Sequence, residues 1–301
     1  MLRILPRVAA AIASRTPVVA LESSVLAQGL PIPQNRDAAT RMTTAVARTG
    51  ALPAITAVVR GTPTIGLEED ELERFLRRDG VRKVSARDIP LVVAKKLDGA
   101  TTVAATLSLA SQAGIEVFAT GGIGGVHRDA PYDESADLAE LARTAMIVVC
   151  AGAKSILDLP ATWERLESLG IPVVGYQTNE LPGFFTASTG IRLDGRVDDV
   201  AEVVEVFRAH RALGRTQSLL VVQPPPSAHA LERDQVDAVV AGAQAEARAA
   251  GIAGAAVTPY LLAAVMRLTE GRSLDANLAL LEQNAALAGA IATMCSRTAT
   301  P

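Results

Sequence analysis

The sequence predicts an α/β fold in three layers, with a largely parallel central sheet between helices and a helical cap at the carboxyl end. Short apolar runs rich in Val and Ile recur along the 301 residues, and helical patterns separate them. Such runs are typical of strands buried on both faces of a parallel sheet. The segment after residue 232 has helical patterns alone. We expect one domain that spans residues 1–301.

The elements follow in order. Residues 1–17 predict a helix rather than a signal peptide, because their apolar stretch is short and Arg7 interrupts it. Strands are predicted over residues 17–24, 54–60, 89–94, 115–120, 145–150, 171–176 and 218–223. Helices are predicted over residues 34–50, 101–114, 134–144 and 160–170, several of them ending on glycine. The predicted cap has helices over residues 232–251, 261–271 and 274–295.

Composition excludes several classes of protein. A net charge of −3 and a pI near 5.7 provide no basic surface for nucleic acid. Cys150 and Cys295 lie far apart, and with three histidines in the chain they form neither a zinc-finger pattern nor a disulfide scaffold. No stretch is expected to reach membrane-spanning length. We therefore expect a cytoplasmic protein with a small-molecule substrate and no nucleic-acid or membrane partner.

Lysine is rare in this chain. The 29 basic residues include only Lys83, Lys95, Lys96 and Lys154 as lysines. Lys154 follows the apolar run 145–150 and has small neighbours, so its amine is accessible. A neutral lysine amine attacks carbonyl carbons, which arginine cannot do, although most lysines are surface cations. Lys154 is therefore a candidate nucleophile.

Other polar residues stand where predicted strands end and helices begin, which is where open α/β sheets bind ligands. Glu22 ends the strand 17–24 and is either a general acid or a helix-start charge. Thr101 and Thr102 open a helix, and its free N–H groups could seat a phosphate, although threonine is also an ordinary N-cap.

Two further junctions carry unusual residues. The stretch GGIGGVHR, residues 121–128, has His127 where a dinucleotide loop needs glycine, so we expect a tight backbone against another ligand. Asp133, Glu134 and Asp137 surround a helix start. Their charge either complements the helix dipole or holds a hydrated Mg²⁺ or Mn²⁺.

These motifs together resemble the pseudouridine-5′-phosphate glycosidase family, also called indigoidine synthase A-like. The resemblance covers roughly residues 15–290 and rests above all on GGIGGVHR and on VVCAGAKSILD, residues 148–158. It implies an enzyme that breaks or forms a carbon–carbon glycosidic bond between ribose 5-phosphate and uracil. The family opens the ribose ring and holds C1′ on a lysine as a Schiff base.

The resemblance also implies a role for individual residues. Lys154 matches the Schiff-base nucleophile, and Glu22 matches the general acid at the ring oxygen. Asp133 matches the ligand of a hydrated divalent metal, usually Mn²⁺, with Mg²⁺ as the other candidate. The implied substrate-binding residues are Lys83 for the phosphate, the helix starts Thr102–Val103 and Ser135–Ala136, and His127, Asp137 and Asn277. Family members form homotrimers.

The chain departs from the family pattern mainly near the expected base. Gln28 replaces a histidine, Ala86 replaces an arginine, Gln223 replaces an asparagine, and the loop between His127 and Asp133 is shorter. Two enzymatic alternatives therefore stay open. One is a glycosidase acting on pseudouridine 5′-phosphate, and the other is a C-glycosynthase of the prealnumycin type that joins ribose 5-phosphate to another planar ring. A third alternative is an inactive sugar-phosphate binding protein.

Overall fold

The computed structural model describes residues 1–128, 132–252 and 257–298. The strands are β1 (Arg3–Ile4), β2 (Val18–Leu21), β3 (Leu52–Val59), β4 (Thr62–Ile65), β5 (Arg82–Val84), β6 (Gly99–Thr101), β7 (Val117–Ala119), β8 (Ile147–Cys150), β9 (Val173–Tyr176), β10 (Gly195–Val197) and β11 (Leu219–Val222). The helices are α1 (Pro6–Ala13), α2 (Gln34–Arg48), α3 (Glu69–Arg77), α4 (Ile89–Ala94), α5 (Val103–Gln112), α6 (Ala136–Leu141), α7 (Leu159–Ser168), α8 (Val200–Ala212), α9 (Arg233–Ala249), α10 (Val257–Leu268) and α11 (Arg272–Thr298).

The strands of the described residues form one 11-stranded sheet, ordered β1-β4-β3-β2-β7-β8-β11-β9-β10, with β6 paired to β3 and β5 paired to β6. The run from β3 to β10 is parallel throughout, and only β3 with β4 and β3 with β6 are antiparallel. Helices flank this sheet, which confirms the predicted α/β fold with a largely parallel centre.

The parallel register aligns the carboxyl ends of the central strands. Leu21 of β2 pairs with Ala119 of β7, and Ala119 pairs with Val149 of β8. Cys150 of β8 pairs with Val222 of β11. The polar residues that follow these strands therefore emerge at one edge of the sheet, where ligands bind in open α/β folds.

The predicted strand over residues 89–94 is wrong, because these residues form helix α4. A short apolar run fits a buried strand and a helix equally well. Ser85 and Asp88 form a turn in which the Ser85 N–H donates to the Asp88 carboxylate, and Pro90 follows in the first helical turn. Val92 is buried against Val58 and Val84, whereas Leu91 is exposed, so the run has one apolar face.

The helices predicted at both ends of the chain are confirmed as α1 and as α9 to α11. Helix α11 packs against α2, α8 and strands β7 and β8, so it covers the sheet directly. This helix is long and apolar enough to cross a membrane, contrary to the expectation that no stretch would be. However, 61% of its most apolar window is buried inside the protein, as in the core helix of a globular domain.

Candidate active site

A cavity of about 490 Å³ opens at the carboxyl edge of the parallel strands. Every catalytic, substrate-binding and metal-binding residue that the family resemblance implies contributes to its wall, whereas Thr101 is fully buried behind it. These residues are Glu22, Lys83, Thr102, Val103, His127, Asp133, Ser135, Ala136, Asp137, Lys154 and Asn277. The fold therefore brings together residues that are far apart in the sequence, from Glu22 near its start to Asn277 near its end.

Glu22 follows β2 directly and is only 5% exposed. Ser24 Oγ donates a hydrogen bond of 2.5 Å to Glu22 Oε2, and Thr120 Oγ1 donates one of 2.5 Å to Oε1. Both donors are short hydroxyl side chains. Ser24 lies two residues after Glu22 in the sequence, and Thr120 follows the end of β7. A buried carboxyl group needs such partners. The two hydroxyls fix its direction at the cavity wall.

Lys154 lies on the loop that follows β8, and its Nζ donates a hydrogen bond of 2.7 Å to the carbonyl of Gly122. The loop makes a sharp turn at Gly152, where φ is +84°. A Cβ at residue 152 would lie 2.2 Å from the Pro182 carbonyl oxygen, so only glycine fits. The turn directs the chain from the buried strand to the cavity, which brings the lysine amine there.

Lys83, on the short strand β5, is the second amine in the cavity wall. Its ammonium makes no hydrogen bond or ion pair with any described residue. The Lys83 side chain is exposed to solvent on the side that faces the open cavity. On its other sides, protein atoms surround the ammonium group. This burial lowers the pKa of Lys83, the charge of Lys154 lowers it further, and Asp137 and Glu22 act in the opposite direction. An unpaired cation of this kind suits an anionic ligand.

Two helices begin at the cavity, and each is capped by a hydroxyl side chain. Thr102 caps α5 by accepting from the Ala105 N–H, and Ser135 caps α6 by accepting from the Asp137 N–H. Within the described part of the chain, the first-turn N–H groups of Val103 and Ala136 have no hydrogen-bond partner. Free first-turn amides are donors for a phosphate or another anion, and α5 has the length to add a dipole.

Asp137 is already engaged by the backbone. Its Oδ1 accepts a hydrogen bond of 2.9 Å from the Ala104 N–H of α5, and its Oδ2 accepts one of 2.8 Å from the Gly124 N–H. A Cβ at residue 124 would lie 2.2 Å from Ser135 Oγ and 2.8 Å from Asp137 Oδ2. The carboxylate thus ties the glycine loop to the start of α5, and glycine is required for this close approach.

His127 connects three segments of the cavity wall. Its Nδ1 lies 3.2 Å from Asp133 Oδ1, and its Nε2 lies 3.4 Å from Thr258 Oγ1 of α10. The Asp133 side chain is 48% exposed, so solvent has access to its carboxylate. Among the described residues, no group of three His, Cys, Asp or Glu side chains could hold a metal. The predicted shortening of the neighbouring loop falls on residues 129–131, outside the described residues.

Asn277, on helix α11, is 7% exposed at the cavity wall. Its Oδ1 is buried and has no hydrogen-bond partner among the described residues. Such an acceptor costs about 1–3 kcal/mol if it stays unpaired. A ligand donor that reaches the Asn277 amide would remove this cost.

The family model described as indigoidine synthase A-like protein matches residues 7–294. The chain belongs to this family. The resemblance found in the sequence is therefore confirmed, and the match spans all three described stretches of the chain.

Relatives and solved structures of this family are similar over almost the whole chain. The pseudouridine-5′-phosphate glycosidase of Gemmatimonas aurantiaca is 67% identical over 275 residues, which cover 91% of this chain and 90% of that protein. The glycosidase of Herpetosiphon aurantiacus is 52% identical, with 95% of each chain covered.

Two crystal structures share the fold. An indigoidine synthase A-like protein from Thermotoga maritima is 37% identical, with a TM-score of 0.91, and the match covers 99% of this chain and 97% of that one. The prealnumycin C-glycosynthase AlnA, in complex with ribulose 5-phosphate, is 38% identical, with the same TM-score and the same coverage. Proteins similar to this chain are thus named both as glycosidases and as a C-glycosynthase, and those with solved structures share one fold.

Sequence reasoning missed several residues of this family site. Thr120 and Ser24 hold the Glu22 carboxyl group, and Thr120 ends a strand just as Glu22 does, so the same rule could have found it. Phe184 lines the cavity with a φ of +67°, and its ring would lie 2.5 Å from a Cβ at residue 122. No sequence pattern indicates that backbone conformation.

Proposed function

We propose that this chain is a C-glycosidase that cleaves pseudouridine 5′-phosphate to uracil and ribose 5-phosphate, a reaction that also runs in reverse. The observation that carries the proposal is the meeting of Lys154, Glu22 and Lys83 in one cavity wall. An amine, a carboxyl group and an unpaired cation are the groups this reaction needs. The glycosidase names of the relatives in Gemmatimonas and Herpetosiphon support the same substrate.

The phosphate of the substrate binds at Lys83 and at the first turns of α5 and α6. Lys83 supplies a charge without a competing hydrogen bond, and Val103 and Ala136 supply free N–H donors. A phosphate bound here holds the sugar so that its C1′ end is directed toward Lys154 and Glu22. Orientation of this kind lowers the barrier, because the reacting atoms no longer have to find each other.

Bond cleavage then takes two steps. With the ammonium proton of Lys154 transferred to Glu22, the free amine attacks C1′ while the Glu22 carboxylic acid protonates the ring oxygen, so the C1′–N bond forms and the C1′–O bond breaks. The nitrogen bonded to C1′ then gives up a proton, and its lone pair forms the C1′=N bond as the bond from C1′ to the base carbon breaks. The base carbon keeps the electron pair of that bond and takes up a proton. Water hydrolyses the resulting Schiff base and releases ribose 5-phosphate and the free amine.

The family implies a divalent metal, Mn²⁺ or Mg²⁺, and the residues here fit one that keeps most of its water. Asp133 offers one half-exposed carboxylate at the cavity, and such ions often bind through one or two carboxylates. The side chains that the structure describes here do not form a closed cage of protein ligands around a metal. When bound, the hydrated ion supplies positive charge to the oxygens of the substrate. His127 orients the Asp133 carboxylate through its Nδ1.

A C-glycosynthase is the second candidate, in which ribose 5-phosphate is joined to a planar ring other than uracil. The similarity to AlnA favours it, and so does Gln28, which lines the cavity in place of the family's histidine. Gln223 does not support it in the same way. The family pattern predicts Gln223 near the base, but this residue lies in a buried hydrogen-bond network with Asn284 and does not contribute to the cavity wall.

The proposal also covers the domain organisation and the oligomeric state of the protein. We propose a single domain over residues 1–301, supported by one apolar cluster that extends from Leu5 to Ala292. We also propose a cytoplasmic homotrimer, as the family resemblance implies. Sedimentation equilibrium tests the trimer, and a monomeric mass at micromolar concentration would contradict it.

The experiment that tests the function compares substrates at matched enzyme concentration. Pseudouridine 5′-phosphate is incubated with the wild type and with Lys154→Ala, and uracil release is followed by chromatography. Uracil release by the wild type alone supports the glycosidase. Wild-type protein that binds ribose 5-phosphate but neither cleaves this substrate nor joins the sugar to any ring would instead be a binding protein.

A further inference from the structure

The turn Thr120–Gly122, between β7 and the glycine loop, touches both proposed catalytic groups. Thr120 Oγ1 donates to Glu22 Oε1 at 2.5 Å, and the Gly122 carbonyl accepts from Lys154 Nζ at 2.7 Å. The relative position of the acid and the amine therefore depends on how this one turn is oriented.

Helix α11 holds the turn through Asn284, a residue that does not contribute to the cavity wall. Asn284, which is 1% exposed, donates from Nδ2 to the Thr120 carbonyl at 2.8 Å and to the Gly121 carbonyl at 3.3 Å. The Gly121 carbonyl also accepts from the Ala151 N–H of the loop that carries Lys154. These bonds prevent the two peptide groups of the turn from rotating.

The Asn284 amide is itself oriented by Gln223, at the end of β11. Gln223 Nε2 donates to Asn284 Oδ1 at 2.9 Å, and Gln223 Oε1 accepts from Gln283 Nε2 at 3.0 Å. Because Asn284 Oδ1 is occupied by a donor, its Nδ2 must face the carbonyls of the turn. Gln223 is 4% exposed, so water does not replace it readily.

We propose that Asn284 and Gln223 are positioning residues that set the geometry between Glu22 and Lys154 through the Thr120–Gly122 turn. This inference rests on the proposed function. Neither residue is part of the cavity wall, so neither touches the substrate. Both act on the rate of the chemical steps and leave phosphate binding at Lys83 unaffected.

The test is the effect of Asn284→Leu on kcat and KM for pseudouridine 5′-phosphate. Leucine has a similar size but donates no hydrogen bond. We expect kcat to fall by about 10²-fold, which is the cost of a misplacement of about 1 Å. We expect KM to stay within about twofold, because a loss confined to the transition state does not change ground-state binding.

A matched control separates positioning from general destabilisation. Asn35 is also a fully buried asparagine, and its Nδ2 donates to the Leu26 carbonyl at 3.0 Å and to the Leu76 carbonyl at 2.8 Å. Asn35→Leu removes the same kind of hydrogen bonds without contact to Glu22, Lys154 or the turn. It should lower the melting temperature and keep kcat at temperatures where the protein is folded.

A milder variant keeps the test valid if Asn284→Leu does not fold. Gln223→Met keeps the side-chain length and removes the donor to Asn284 Oδ1, so the Asn284 amide loses its fixed orientation. We expect a smaller decrease of kcat with an unchanged KM. Gln112→Met, on the exposed surface of α5, makes the same chemical change as a control and should leave kcat unchanged.

The outcomes distinguish this inference from the proposed function. If the wild type shows no turnover above Lys154→Ala, the proposed function is wrong and this inference falls with it. If the wild type is active and both Asn284→Leu and Gln223→Met keep the wild-type kcat, only the positioning role is wrong. A decrease of kcat in these two variants that Asn35→Leu and Gln112→Met do not show supports it.

Discussion

Lys154 Nζ lies 2.7 Å from the carbonyl oxygen of Gly122, and this hydrogen bond connects two loops that both carry functional residues. Gly122 belongs to the glycine-rich stretch that contains His127, and Lys154 belongs to the loop after β8. The amine is therefore held at a defined point of the cavity before any substrate binds. Such preorganisation reduces the cost of reaching the transition state.

Glu22→Gln tests the general acid. Glutamine has the same size and stays in the same position, but it cannot donate a proton to the ring oxygen. We expect kcat for pseudouridine 5′-phosphate to fall by about 10²–10⁴-fold, the usual contribution of a general acid or base. Steady-state kinetics measure this, and Glu69→Gln on the exposed start of α3 is the control. A Glu22→Gln enzyme with wild-type kcat would contradict the assignment.

Thr120→Val tests whether the Thr120 hydroxyl matters for Glu22. Valine has nearly the shape of threonine, but it leaves Glu22 Oε1 without its hydrogen bond of 2.5 Å. Without this hydrogen bond the carboxyl group can turn away from the ring oxygen, and because a misplaced catalytic group slows the reaction, we expect a roughly tenfold or larger decrease of kcat. Thr293→Val, far from the cavity, is the matched control because its hydroxyl bonds only to backbone carbonyls. Equal kcat in both variants would be evidence against this role.

The lowered pKa of Lys83 predicts that the affinity of the protein for phosphate depends on pH. Burial lowers the pKa of Lys83 below the ordinary lysine value, with Lys154 adding to this effect and Asp137 and Glu22 opposing it. Lys83 therefore loses its charge, and with it part of its affinity for phosphate, at a lower pH than an exposed lysine does. Inorganic phosphate gains negative charge as pH rises through the neutral range, which would increase its affinity for a cation, so its own ionisation cannot cause a decrease.

Calorimetric titration with inorganic phosphate between neutral and alkaline pH measures this dependence without Schiff-base formation. We expect the affinity of the wild type to decrease as pH rises, and the affinity of Lys83→Arg to change less, because arginine stays charged. Lys95→Arg, an exposed lysine, is the control for the substitution. Identical pH profiles in the wild type and Lys83→Arg would show that Lys83 does not bind phosphate.

Gly124→Ala tests the packing of the glycine loop. The new methyl group would lie 2.2 Å from Ser135 Oγ, so the start of α6 and the Asp137 carboxylate would have to move. We expect a loss of activity and a destabilisation of about 1–3 kcal/mol, as for other overpacked positions. Gly242→Ala, at an exposed position of α9 where a Cβ would meet only Leu268 Cδ1 at an ordinary contact distance of 3.9 Å, should instead stabilise the protein by about 0.5–1 kcal/mol. Chemical denaturation measures both, and an unchanged Gly124→Ala protein would contradict this packing argument.

The central strands were predictable from the sequence because they are continuous apolar runs rich in Val and Ile. The strands β5 and β6 were not, since they have three residues each and depend on pairing with each other and with β3. Lys83 lies on β5, so its place in the cavity came from the family resemblance alone. The segment 89–94 was assigned to a strand because its apolar run is too short to show a period.

In the candidate site, too, some residues could be predicted from the sequence and others could not. Glu22 and Lys154 are visible in the sequence because they stand at the ends of buried strands. Asn284 was in principle visible as an amide within an apolar helical segment, but its partner Gln223 is 61 residues away in sequence. Only the packing of α11 on the sheet brings the two together. Contacts of this kind are set by tertiary structure and leave no periodic signal.

The most direct test of the account is the mass of the intact protein after incubation with ribose 5-phosphate, Mn²⁺ and borohydride. Borohydride reduces a Schiff base to a stable amine, so the sugar phosphate stays on the protein. We expect one adduct of the reduced open-chain sugar phosphate on the wild type and on Lys95→Ala, and no adduct on Lys154→Ala. An absence of adduct on the wild type, or an equal adduct on Lys154→Ala, would contradict the proposed role of Lys154.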